Sequence, residues 1–390
     1  MTILSIGRTS YDITCPVEEY PIEGTKYLLN EKIESGGGTA SIVSYLLGKW
    51  GETSYFAGVI GSDDYGTKIK KELEQVMVKT EFMEVSYEVG TPVSVVLVNK
   101  KKGSRTRFDI VSNTQPNLKK YEYTINPDVI FADGKEYSAT INALNKFPKA
   151  ISIVDAGRVN RDLLELCKFV KYIVCSKGFA EAVSGLKIDY NNSASLVNVY
   201  KKLKDKYPNN EIVVTLENMG AMYTVNGEIR IMPGIKTQVV DPSGAGDIFH
   251  GAFCYCIANG FDMEKTITYS NIAAGLSVGK MGGCSSIPML KEVISYYNQK
   301  IKKEIPVEEA PKKEELKEED MLPDIPDAAT FKVIDPKDLE AVPTFSIGGA
   351  TIPAVGVQTS QVNSNEATVS NTSVSSIPVI TPTSDNNVQQ

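Results

Sequence analysis

The 390-residue chain has a single histidine, His250, and a single tryptophan, Trp50. Its six cysteines, at 15, 167, 175, 254, 256 and 284, include no pair in CxxC spacing. With one imidazole, neither a zinc site nor a thioredoxin-type dithiol is expected, and the cysteines read as reduced core thiols. No apolar run approaches the roughly 20 residues that span a bilayer. The opening MTILSIGRTSYD lacks a basic segment followed by a long apolar one, so it reads as a first strand, and a cytoplasmic location is expected. No G-x4-G-K-[ST] phosphate loop occurs; Gly61 to Lys68 comes nearest but ends Gly66-Thr67-Lys68, with the last two residues reversed. No GxGxxG follows the first strand, which argues against a dinucleotide-binding domain.

Negative charge is concentrated at one end. The net charge is −7, but residues 306–390 carry 14 acidic side chains against 5 lysines, leaving 34 acidic and 36 basic to the first 305. A body so nearly neutral does not suit nucleic acid or a membrane surface as its partner. Its one basic cluster, NKKKGSRTR (99–107), lies between VSVVLV and FDIV and reads as a charged hairpin turn. Beyond residue 304 a proline- and charge-rich stretch gives way to 357–390, with 12 Ser or Thr and no aromatic. Such a segment cannot bury enough apolar surface to offset its ordering entropy. The expected organisation is therefore one domain at 1–304 and a linker with disordered tail at 305–390, whose stretch PTFSIGGATIPAVGV (343–357) is apolar enough to dock on a partner.

What is abundant is alternation. Short β-branched runs, ILSIG (3–7), VSVVLV (93–98), VIFA (129–132), ISIVD (151–155), YIVC (172–175) and EIVVTL (211–216), are separated by helical stretches such as 161–170 and 193–207. This predicts an α/β fold, a doubly wound, mostly parallel sheet covered by helices on both faces. Residues 10–34 and 88–110 break the pattern and predict a small antiparallel sheet beside the main one, a lid or an interface.

In such a sheet, ligands sit at the strand-to-helix loops. DPSGAGDIFHGAF (241–253) has the composition of one, between an expected strand TQVV (237–240) and a helix with Ile248, Phe249, Ala252, Phe253 and Cys256 on its apolar side. Gly244, Ala245 and Gly246 leave three backbone amides bare at a helix start, an arrangement suited to a transferring phosphoryl group. Asp247 at that position suits a general base taking a substrate hydroxyl proton, and equally an acidic residue favoured by the helix dipole. A second cluster, ESGGGTASIVSYLLGKWG (34–51), puts three glycines before a helix whose buried face is Ile42, Val43, Leu46 and Leu47.

GGGTASIVSYLLGKWG, YFAGVIGSDDYG, DAGR, VVTLENMGA and DPSGAGDIFHGAF, in this order from residue 3 to about 300, resemble the ribokinase-like (PfkB) carbohydrate kinases. FHGAF after the aspartate, DAGR (155–158) and CSKGFAEAVSG (175–185) look most like the ketohexokinase and sulfofructose kinase branch. The resemblance implies ATP-dependent phosphorylation of a hydroxyl of a sugar, ketose-like by preference, with Asp247 as base and Gly244, Ala245 and Gly246 as anion hole. It implies that Asp12, at the end of the first strand, binds sugar hydroxyls with Gly36 and Gly37. It places Thr215 and Gly220 along the nucleotide, Asn271 and Gly282 near the adenine, and Mg²⁺ on the phosphates largely through water. It also makes 10–34 and 88–110 a β-lid and a possible homodimer interface.

Three positions depart from the family. Ser41 stands where the family usually has Asn, Ser176-Lys177-Gly178-Phe179 where it has Asn-x-x-Glu near phosphate, and Pro242 where it has Thr. Lys135, Arg105, Arg107 and Arg158 are candidates to pair with an anionic substrate, or are solvated loop charges. His250 is expected to make a structural hydrogen bond. A nucleoside kinase of the same fold would need an aromatic platform for the base, with Tyr11, Tyr27 and Phe108 available. A non-catalytic scaffold acting through the tail is the reading from another class.

Overall fold

The computed structural model describes residues 1–110, 117–119 and 122–304. The expected linker and tail, 305–390, lie outside the described residues. The main sheet is built from β1 (Thr2–Ile6), with β2 (Ser10–Val17) and β3 (Ile33–Gly37) leaving it at once for a smaller sheet. Helix α1 (Thr39–Lys49) and β4 (Thr53–Ala57) return the chain to the main sheet. Then follow β5 (Val59–Gly61), α2 (Asp64–Gln75) and β6 (Glu84–Ser86), and the hairpin of β7 (Val93–Asn99) and β8 (Ser104–Ile110). The second half alternates β9 (Val129–Ala132), α3 (Tyr137–Lys146), β10 (Ile151–Ala156), α4 (Arg161–Leu166), β11 (Tyr172–Ser176), α5 (Lys177–Ser184), α6 (Ser193–Lys206) and β12 (Glu211–Thr215). It ends with the hairpin β13 (Ala221–Val225) and β14 (Glu228–Met232) and four helices. These are α7 (Ala245–Ala258), α8 (Met263–Ser277), α9 (Gly283–Ser286) and α10 (Leu290–Glu304).

The main sheet runs β14-β13-β12-β11-β10-β9-β1-β4, parallel from β12 to β4 and antiparallel only at the β12–β13–β14 edge. Strand alternation divides its core in two. Phe131, Ile153, Val174 and Val213 face α1, α2, α7 and α8. Val154, Ile173, Cys175 and Val214 face α4, α5 and α6 on the other side. The helices answer with i, i+3, i+4 apolar stripes: Ile42, Val43, Leu46 and Leu47 are all buried on α1, as their spacing predicts. Five cysteines are buried and Cys15 is half-buried, all of them unpaired. No helix among the described residues is long and apolar enough to cross a membrane.

The structure corrects two expectations about these elements. TQVV (237–240) is not a strand: the amides of Val240 and Asp241 both donate to the carbonyl of Val278 at the end of α8, so the segment is tied to a helix terminus rather than to a sheet edge. The helix expected over 161–170 stops at Leu166. The β13–β14 edge hairpin, which was not among the strands expected from the sequence, turns at Asn226-Gly227, whose φ values of 52° and 82° are those of a tight primed turn.

The segments 10–34 and 88–110 do supply a four-stranded sheet, in the order β3-β2-β7-β8, although β2 and β7 pair in parallel. Lys100–Gly103 make the charged turn between β7 and β8.

Candidate active site

Helix α7 begins at Gly244, which caps it in a left-handed conformation (φ 77°) and offers no side chain to its amides. A side-chain oxygen would normally satisfy one of these donors. Here the Ala245 N–H makes only a long bond to the Pro242 carbonyl, 3.5 Å, and the first turn, Ala245-Gly246-Asp247, presents the positive end of the dipole with no side chain over it. The loop before it is held from behind by Asp241, which is buried and accepts from the Ser243 amide at 2.8 Å and the Gly282 amide at 2.9 Å. Asp241 thus joins two glycine loops that are 41 residues apart in sequence. Gly282, expected at the nucleotide, is placed beside the anion-hole loop by this clamp.

Asp12 lies across from α7. It is not at the end of the first strand, which stops at Ile6, but inside β2 of the small sheet, in register with Ser35 and Ser94. Ser10 Oγ donates to its Oδ1 at 2.8 Å, and Arg107 Nη1 reaches its Oδ2 at 3.1 Å. Burial pushes the Asp12 carboxyl above its ordinary range, and the Arg107 guanidinium works against that shift. Asp247 lies close enough for its charge to act on Asp12, on Arg107 and on Asp155.

Arg107 also bonds Ser94 Oγ at 2.7 Å and Asp109 at 2.6 Å, so it crosses the face of the small sheet that carries Asp12. Arg105 is two residues further along β8, opposite Val98, and is exposed. The structure therefore brings Arg107, not Arg105, to Asp12. Lys135 is exposed just past β9, with Asp109, Asp133 and Asp155 within the reach of its charge. Arg158 is exposed.

The remaining expected residues divide by what their polar groups already do. A Cβ on Gly37 would press against the Asp12 carboxylate, so glycine is what lets β3 pass that side chain. Gly36 does not leave its amide bare: the N–H donates to Glu72 at 2.6 Å. Ser41 is buried in the first turn of α1. Ser176 Oγ accepts from the Phe179 amide as the N-cap of α5 and donates to the Gly157 carbonyl, so its hydroxyl is committed locally. Thr215 Oγ1 donates to the Cys175 carbonyl at the end of β12. Asn271 Nδ2 spans the carbonyls of Met232 and Pro233, fixing the chain as it leaves β14.

Two residues carry more than the sequence reading gave them. Asp155, at the end of β10, is largely buried, and burial pushes its carboxyl up to about 6; nearby His250 opposes that shift, and Asp247 and Asp133 add to it. His250 Nε2 stands 3.3 Å from Asp155 Oδ1, and Nδ1 stands 2.6 Å from the carbonyl oxygen of Gly246. The DAGR motif was the signal for Asp155, but its partner is 95 residues away in sequence, a pairing that only the fold reveals.

A doubly wound α/β domain with an uncapped helix start and an aspartate in its first turn, facing a second carboxylate, defines a ribokinase-like phosphotransferase fold. Residues 2–290 match the pfkB family of carbohydrate kinases, and the chain belongs to that family. It is 26% identical over 297 residues to the bifunctional protein HldE of Aliarcobacter butzleri (strain RM4018), covering 70% of this chain and 59% of that protein. It is 24% identical over 307 residues to the ribokinase of Bacillus subtilis (strain 168), covering 75% of this chain and 97% of the relative. The structure of Arabidopsis thaliana ribokinase complexed with ribose and ATP is similar with a TM-score of 0.60 at 19% identity, over 75% of this chain and 97% of that one.

Proposed function

We propose that this protein transfers the γ-phosphoryl group of ATP to a hydroxyl of a sugar, a ketose-like one by preference, in the cytoplasm. The observation that carries the reading is the pairing of Asp247 with the uncapped amides of the same helix turn. The sugar lies between Asp12 and Asp247. Asp12 accepts from its hydroxyls, Asp247 takes the proton of the attacking one, and the Gly244–Gly246 amides stabilise the charge that develops on the phosphoryl oxygens. Among the described residues no group of three or more His, Cys, Asp or Glu could cage a metal. Mg²⁺ would arrive on the phosphates of ATP and keep most of its waters.

A sugar is favoured over a nucleoside by the faces of the small sheet. Side chains alternate along a strand, so Tyr11 and Phe108 point away from the side that carries Asp12 and Arg107. Tyr11 is buried and packs at a tilt against Tyr65 with ring centroids 4.8 Å apart, so its ring is not open to a base. That outward face is apolar. Ile13, Val95 and Leu97 are half-buried, and Phe108 and Ile110 are 53% and 62% exposed. It suits a second copy of the chain, which would make the small sheet both lid and dimer interface.

The test is ADP release from Mg-ATP with a panel of fructose, ribose, sulfofructose, fructose 1-phosphate, fructose 6-phosphate, 2-keto-3-deoxygluconate, adenosine and inosine. Asp247→Asn is expected to lower kcat at least ~100-fold with ATP binding nearly intact. Unchanged turnover in that variant would sink the reading.

A further inference from the structure

The sole histidine has acceptors on every side. Nδ1 faces the Gly246 carbonyl at 2.6 Å, while Nε2 faces the Val174 carbonyl and Asp155 Oδ1, each at 3.3 Å. A neutral imidazole has one N–H and one lone pair, so it cannot satisfy oxygens at both ends. The arrangement closes only if Nδ1 carries a hydrogen and a second proton lies between Nε2 and Asp155. The charged groups that reach Asp155 are His250, Asp247, Asp133 and Lys135, which makes the surroundings predominantly acidic and suited to holding that proton.

The carbonyl that His250 grips belongs to the same peptide unit as the Asp247 amide. That unit is planar and trans, so its C=O and N–H point in opposite directions. Fixing the oxygen against the imidazole therefore aims the Asp247 N–H out of the helix start, toward the place where the phosphoryl oxygens sit. A donor on the carbonyl also polarises the amide and strengthens the hydrogen bond its N–H can give. The ring is 6% exposed and packed against Phe131 and Phe249, so it has little freedom to release its grip.

We infer that His250, protonated on Nδ1 and oriented by Asp155, is a positioning residue for phosphoryl transfer, setting one amide of the anion hole through the Gly246 carbonyl. This rests on the kinase reading above and adds a residue pair to its machinery.

Three variants test it. His250→Asn places an amide nitrogen where Nδ1 was and keeps the bond to Gly246; His250→Gln reaches toward Asp155 instead; His250→Ala does neither. His250→Ala and His250→Gln are expected to lose kcat by up to about 100-fold with the KM for ATP nearly unchanged, and His250→Asn to recover most of that loss. Being the only histidine, its ring nitrogens can be read by ¹⁵N NMR without assignment. In the resting protein Nδ1 should bear a hydrogen, and Asp155→Asn should leave Nδ1 protonated and strip Nε2 of its shared proton. A bare Nδ1 in the wild-type protein overturns the inference. So does equal loss in the Asn and Ala variants in step with their melting temperatures, or an unaltered kcat in His250→Ala. Failure of the kinase reading itself shows separately, as full turnover in Asp247→Asn.

Discussion

Gly220 holds φ 96°, and a methyl group placed on it would collide with the carbonyl oxygen of Met232. The residue joins the turn after β12 to β13, so a collision there pushes apart the strands that flank the expected nucleotide site. Gly220→Ala should therefore destabilise the fold by about 2 kcal/mol or more, seen as a lowered melting temperature. Gly246, beside Asp247, has nothing within 4 Å of where a Cβ would go. At this scale the sequence was most informative where the residues concerned are neighbours in the chain. Gly244 through Asp247 could be read directly as a helix start because one helix turn holds both the glycines and the aspartate. Asp241 with Gly282, Arg107 with Asp12, and Asp155 with His250 could not be paired, since each contact is made by strands and loops that meet only after folding.

Helix α2 shows how an element is fastened. Asp63 caps it through the Gly66 amide at 2.8 Å, and the same carboxylate accepts from the Thr91 amide and hydroxyl, both at 2.7 Å. One side chain thereby joins a helix start to the segment that leads into β7 of the small sheet. Asp63→Ala should cost about 1–2 kcal/mol, measured by denaturant unfolding, with Asp63→Asn retaining part of it. The six strands read from apolar runs all form: the five in the main sheet are largely buried and need little more than continuous β-branched side chains, while VSVVLV forms β7 with one face half-buried. TQVV had the right composition but does not join a sheet: the Val240 amide at its end is claimed by the Val278 carbonyl at the end of α8. Composition states what a segment could do in a sheet; only topology decides whether an edge is available.

At the scale of the whole molecule, the small sheet presents one face to Asp247 and the other to solvent. If two copies meet on the outward face, Phe108→Glu with Ile110→Glu should convert a dimer to a monomer in sedimentation experiments, because each charge would be buried against its own image. A wild-type protein that sediments as a monomer at all concentrations would count against the interface. The near balance of charge over the first 305 residues agrees with such self-association, which a strongly charged body would resist.

Trp50 at the end of α1 donates its indole N–H to the carbonyl of Pro288, just before α10, and packs edge-on to Tyr255. The protein thus contains one indole fluorophore, selectively excitable over its tyrosines, seated between the end of α1 and the approach to α10. Its emission reports whether the two ends of the described chain are closed on each other. A red shift during gentle denaturation, ahead of the loss of helical signal, would mark the α1–α10 seam as the place where unfolding begins.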